Sequence, residues 1–161
     1  MKDIGWRWPG DHGRTMGLRL IAAIALLCWI AGALIERPLP ARFVQENVRI
    51  PAHSGRITLA ISILRPRGDG PFGAVVLNHG VPLTERARRL ESPAMLLHTA
   101  VAFAQRGYAV LMPLRRGFGA TGGEFAEDPG TCSDAAYARG ERAAAEDVLA
   151  AYAFARKLSY V

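Results

Sequence analysis

Two short apolar runs, Ala74–Leu77 and Tyr108–Met112, flank a segment with helix signals at both ends. Ser92 can cap the helix, Pro93 fits its first turn, and Gly107 can close it in the left-handed conformation. Leu96, Leu97, Ala100, Val101 and Phe103 recur at helical spacing and predict a core-facing side. A strand, a helix and a strand in that order imply a right-handed crossover between parallel strands. Both runs are continuously apolar, as expected of strands covered on both faces. This unit commits the chain to an α/β class with a mainly parallel later sheet.

The residues before it read differently. Phe43–Ile50 brings Val44, Val48 and Ile50 into near alternation, and Ile57, Leu59, Ile61 and Ile63 alternate strictly up to Leu64. His53-Ser54-Gly55 supplies a turn between them, so the two segments predict an antiparallel hairpin whose second strand is half-exposed. Downstream, Asp134 to Lys157 predicts a second helix with Ala145, Val148, Leu149 and Tyr152 as its apolar face. Glu146 and Asp147 are expected on its surface.

Leu20 to Ile35 is an unbroken apolar run preceded by Lys2, Arg7, Arg14 and Arg19. A basic flank followed by an apolar helix is what the export machinery reads. Ala31-Gly32-Ala33 offers a small-x-small cleavage pattern, and Pro38 and Pro40 stop any continuing helix. The organisation read from this is a basic leader over 1–16, a signal peptide or transmembrane anchor over 17–36, a proline-containing linker over 37–41, and an α/β domain over 42–161. Export to the periplasm or exterior, or anchoring in the membrane through 17–36, is the expected location. The formal charge of +6 comes without a basic stripe interleaved with aromatics, so no nucleic-acid partner is expected. Cys28 and Cys132 show no metal-ligand spacing, and neither a metal nor a cofactor is expected.

Two glycine-bearing loops carry the chemistry. Asn78-His79-Gly80-Val81-Pro82 follows the first apolar run at the carboxyl end of a strand, where open α/β sheets bind ligands. Glycine there lets the chain turn sharply and aims the next N–H into the crevice, so the Val81 N–H is a candidate oxyanion donor. The plainer reading is a strand-to-loop turn with His79 packed and hydrogen-bonded. The second loop is Arg115-Arg116-Gly117-Phe118-Gly119-Ala120-Thr121-Gly122-Gly123-Glu124. Gly117-x-Gly119-x-x-Gly122 fits a dinucleotide fingerprint in letters, and Gly119-x-Thr121-x-Gly123 fits a nucleophile elbow with threonine. Both motifs need a helix starting at once, and Asp128-Pro129-Gly130 argues against one.

Together, H-G-x-P, the segment Gly107–Pro113 and R-G-x-G-x-[ST]-x-G, about 35 residues after the first, resemble the α/β-hydrolase superfamily. The resemblance is to its dienelactone-hydrolase-like and peptidase-like members, and it covers residues 42 to 161. It implies the N-terminal half of a hydrolase sheet: an antiparallel hairpin, then parallel strands joined by a crossover helix, preceded here by the hydrophobic N-terminal helix. It also implies an oxyanion N–H at Val81 and a substrate-pocket wall built from His79, Gly80, Arg116, Gly117, Phe118 and Gly119. The family places G-x-S-x-G within about a dozen residues after the second helix, with acid and histidine later. None of Ser54, Ser62, Ser92, Ser133 and Ser159 sits in that motif. The expectation is therefore a partial serine hydrolase of ester, lactone or peptide bonds, without a nucleophile, acid or base of its own and inactive as this chain. Its partners would be a small-molecule or peptide substrate once completed, the membrane through 17–36, and a second copy through an unpaired strand edge. The alternative is an exported or anchored non-catalytic interaction module.

Overall fold

The structure is a computed structural model and describes residues 39–161. The basic leader and the signal or anchor segment over 17–36 lie outside the described residues. Among the described residues, no helix is long and apolar enough to cross a membrane.

The alternating segments form the hairpin. Strands β1 (Phe43–Ala52) and β2 (Ile57–Pro66) pair antiparallel with Val48 opposite Ile61. The connecting turn, His53–Gly55, has positive φ at three successive residues, including the non-glycine His53 (52°) and Ser54 (59°). L-residues pay a steric cost there, so something outside the turn must hold it. Strand β3 (Gly73–Val76) precedes a short helix α1 (Glu85–Arg89), capped by the Thr84 hydroxyl. A 3₁₀ turn at Pro93–Leu96, capped by Ser92, leads into α2 (Leu97–Ala104). Gly107, at φ 88°, then delivers the chain into β4 (Tyr108–Leu114). β3 and β4 are parallel, with Val75 opposite Val110, so the predicted crossover is present. Helix α3 (Tyr137–Ala155) is the last element.

The sheet order is β1-β2-β4-β3, which makes β3 an edge among the described residues. Two expectations are corrected here. β3 is not covered on both faces: Gly73 and Ala74 are exposed, and Val75 and Val76 are only partly buried. β2 is not half-exposed, because Ile61 to Leu64 are all buried. Leu59, Ile61, Ile63 and Leu111 face Ala151 and Ala155 of α3, while α2 contributes Ala100 and Ala104 to the buried set.

The face of α3 is a third correction. Leu149 and Tyr152 are exposed, and the buried positions are Gly140, Asp147, Ala151 and Ala155. The sheet brings large side chains to that interface, so close packing is completed by small ones from the helix. After α3 the chain turns back toward β3, where the Phe72 N–H donates to the Tyr160 carbonyl at 2.7 Å.

Candidate functional site

The loops after β3 and β4 leave from the same end of the sheet, since the two strands are parallel. They are fastened together by His79 and Arg115. His79 is buried, and its Nε2 accepts the Arg115 N–H at 3.2 Å. That acceptor role makes Nδ1 the protonated nitrogen, which donates to the Gly80 carbonyl at 2.7 Å. The Arg115 guanidinium donates to the His79 carbonyl at 2.9 Å and pairs through two nitrogens with Glu127. Arg115 and Glu127 are both buried, and this paired, fully bonded arrangement is what lets two charges reside in the interior. Phe118 is wholly buried, 4.4 Å from the His79 ring and edge-on to Phe125. Burial, first, and then the Arg115 charge hold His79 below its ordinary pKa of 6.5, against an opposing contribution from its bond to Gly80. His79 is thus a neutral, doubly bonded spacer between two loops.

Val81 is half-exposed and borders a depression of about 190 Å³ with Glu127, Tyr137 and Glu141. Among the described residues no acceptor takes its N–H. Gly80 lies between the locked histidine and this free donor, and a Cβ there would meet nothing. The arrangement fixes His79 and leaves an unpaired backbone donor two residues further on, beyond the carboxyl end of an edge strand.

The second loop is held by groups the sequence did not point to. Asp147 has no exposed surface. Its Oδ2 accepts the Arg116 N–H at 2.8 Å, and its Oδ1 meets His53 Nε2 at 2.6 Å. The Arg116 side chain lies between Asp147 (3.3 Å) and Glu146 (2.7 Å) and also donates to the Ala143 carbonyl. One carboxylate therefore ties α3, the loop after β4 and the left-handed turn of the hairpin. The expected surface position of Asp147 is wrong, because donors from two distant segments, His53 and the Arg116 N–H, meet it in the interior. Its spacing of four from Ala151, and of four more to Ala155, is the one sequence signal that puts it on the buried side.

Thr121 is equally committed. Its hydroxyl donates to the Leu114 carbonyl at 2.6 Å and accepts the Ala60 N–H at 2.9 Å, pinning the loop across β2 and β4. Gly117 (φ 87°) presses its Cα face against the Phe125 backbone, and Gly119 (φ 41°) packs against the Glu91 carbonyl. A 3₁₀ turn at Gly119–Thr121 stands where either glycine motif would need an α-helix. Open grooves of about 500 and 510 Å³ flank the loop, one beside Arg88 and Arg89, the other beside Arg49 and Arg56. Of the predicted wall residues, Gly117 and Gly119 line the first groove and Arg116 the second, while Phe118 lies in the core beneath both. Cys132 is exposed. Among the described residues, no group of three or more His, Cys, Asp or Glu could hold a metal ion.

No protein-family model matches the chain, and no curated protein does. Solved structures do. The chain is similar to an acetyl xylan esterase from Paenibacillus sp. R4, with a TM-score of 0.53 and 20% identity, over 78% of this chain and 40% of the esterase. An α-amino acid ester hydrolase labelled with selenomethionine matches at a TM-score of 0.36 and 24% identity, over 55% of this chain and 16% of its own. The chain thus spans about two fifths of the esterase, and the likeness is one of fold: a mixed α/β domain with a four-stranded sheet, similar to part of that structure.

Proposed function

We propose that residues 42–161 are the N-terminal half of a serine hydrolase acting on an ester, lactone or peptide bond of a small-molecule or peptide substrate. In this reading the Val81 N–H donates to the oxyanion that forms as the acyl carbon becomes tetrahedral. The loop after β4 walls the same crevice. The nucleophile, the acid and the catalytic histidine belong to a segment outside these 161 residues, since no serine here stands in G-x-S-x-G. The observation that carries the reading is the free Val81 N–H beyond the carboxyl end of β3, beside a histidine whose own hydrogen bonds are already used. An oxyanion donor must be fixed in place before charge develops, and the Arg115–Glu127 pair under His79 supplies that rigidity. The Phe72–Tyr160 hydrogen bond supports the placing of a following strand, and with it the nucleophile, against the free edge of β3. Export or membrane anchoring through 17–36 belongs to the same proposal.

The chain alone is expected to turn over no nitrophenyl acetate. Joined to the segment that carries the nucleophile, it should hydrolyse that ester, and Val81→Pro should lower kcat about 10²-fold or more by deleting the donor. Val81→Ala, which keeps the N–H, should stay near the parent. Equal turnover in a folded Val81→Pro protein would remove Val81 from the site. Stoichiometric, inhibitor-sensitive turnover by the 161-residue chain itself would overturn the division of residues proposed here. Cell fractionation tests location: full-length protein wholly in the soluble cytoplasm would refute export and anchoring alike.

A further inference from the structure

The second groove beside the loop after β4 has a charge pattern that the oxyanion chemistry does not use. It lies at the same end of the sheet as Val81, the carboxyl end of β3 and β4, but toward the β1–β2 side of the order β1-β2-β4-β3. β2 runs antiparallel to β4 with Ala60 opposite Leu114, so the start of β2 projects past the carboxyl end of β4. Arg49 of β1, Arg56 and Arg116 line it together with Gly122, Gly123 and Glu124. Arg116 is already neutralised by Glu146 and Asp147. Arg49 and Arg56 are not: among the described residues, neither has a carboxylate within salt-bridge distance.

Both guanidiniums are nevertheless held. Arg49 donates one Nη to the Ala120 carbonyl at 3.2 Å, and Arg56 donates its Nε to the His53 carbonyl at 3.2 Å. Each anchor uses part of the fork and leaves other N–H donors unassigned. Gly122 and Gly123 both have positive φ, and the N–H groups of Gly123 and Glu124 meet no acceptor among the described residues. Guanidinium forks and free backbone N–H groups are the donors that planar or tetrahedral oxyanions take. The Glu124 carboxylate repels an anion at its end, so the favoured position lies on the arginine side. A groove of about 510 Å³ has room for an organic body attached to that anion.

We propose that this groove binds an oxyanion through Arg49 and Arg56. Resting on the hydrolase reading above, its ligand is a carboxylate carried at the remote end of the substrate, which makes the substrate class acidic esters or acidic peptides.

Titration of the full chain with glutarate and, separately, with inorganic sulfate, followed by amide chemical shifts at low salt, tests it. Saturable shifts at Gly123 and Glu124 are expected. Binding should weaken at least fivefold in the double variant Arg49→Gln, Arg56→Gln and stay unchanged in Arg67→Gln, an exposed arginine that donates to the Ala41 carbonyl. Glutarate binding tighter than sulfate supports the carboxylate-bearing ligand. Sulfate binding as tightly or tighter keeps the oxyanion site and overturns the substrate assignment. No saturable binding of either anion, or equal binding by the double variant, overturns the site. No ester is consumed in this titration, so its failure leaves the Val81 reading untouched, and failure of the Val81 test leaves the groove untouched.

Discussion

Replacing Asp147 by alanine should be among the most damaging single changes in the domain. The side chain is fully buried and accepts from His53 at 2.6 Å and from the Arg116 N–H at 2.8 Å, with the Arg116 guanidinium at 3.3 Å. A hydrogen bond to a buried charged group contributes roughly 1.5–3 kcal/mol. Breaking a buried ionic cluster by removing one partner costs about 3–5 kcal/mol, because the remaining charges stay desolvated. Asp147→Ala should therefore lose about 3–5 kcal/mol, against a typical domain total of about 5–15 kcal/mol. Asn at this position keeps the volume and one acceptor, so about 2 kcal/mol is expected for Asp147→Asn. His53→Ala removes one donor and leaves the left-handed turn without its tether, and its cycle with Asp147→Asn should show coupling of about 1 kcal/mol or more. Urea unfolding followed by far-UV circular dichroism reads each value. Glu141→Ala, on the exposed side of the same helix, should stay within about 0.5 kcal/mol of the parent. An Asp147→Ala protein equally close to the parent would refute the clamp.

The loop glycines give a paired test. Gly119→Ala drives a Cβ into the Glu91 carbonyl at positive φ and should cost roughly 2–4 kcal/mol, whereas Gly55→Ala meets no neighbour and should cost about 1 kcal/mol; equal denaturation midpoints would contradict the packing described. His79 gives a pH test with a defined sign. Its folded-state pKa lies below 6.5, so the folded domain binds that proton more weakly than the unfolded chain does. Its contribution is fully present above pH 6.5 and is lost as pH falls through the lowered value, so His79→Gln should flatten the acid-side decline in urea midpoint between pH 7.5 and 5; an unchanged decline would exclude His79 as its source. Self-association through the free edge of β3 is expected from its exposed Gly73 and Ala74 and from Leu149 and Tyr152 exposed on α3. Ala74→Lys should shift sedimentation toward the monomer, and a parent already monomeric at every concentration would refute it.

What the sequence made legible was what depends on neighbours along the chain. Period-two alternation located β1 and β2, and Ser92, Pro93 and Gly107 bracketed the crossover between β3 and β4. The short helix α1 escaped notice, because its residues Glu-Arg-Ala-Arg-Arg have no apolar period and only the Thr84 cap announces it. The face of α3 was misread for a different reason. Hydrophobicity ranks Leu149 and Tyr152 as inward, but the volume available to the helix was set by Leu59, Ile61, Ile63 and Leu111 of the sheet, which leaves room for Ala151 and Ala155. Asp147 lay further from view, since its donors stand 94 and 31 residues away and nothing in the helix itself marks a buried carboxylate.

The same distinction explains the loop after β4. Its glycines match two ligand-binding patterns in spacing, yet Gly117 and Gly119 are required by the Phe125 backbone and the Glu91 carbonyl pressing on them. Thr121, at the centre of the elbow-like pattern, spends its hydroxyl on Leu114 and Ala60. Spacing along the chain records that side chains are absent at these positions. Whether a phosphate or a neighbouring backbone fills the space so made is decided by whatever the fold brings there. In this loop the backbone does, and the donors left over, at Val81 and beside Arg49 and Arg56, are where a ligand can still be met.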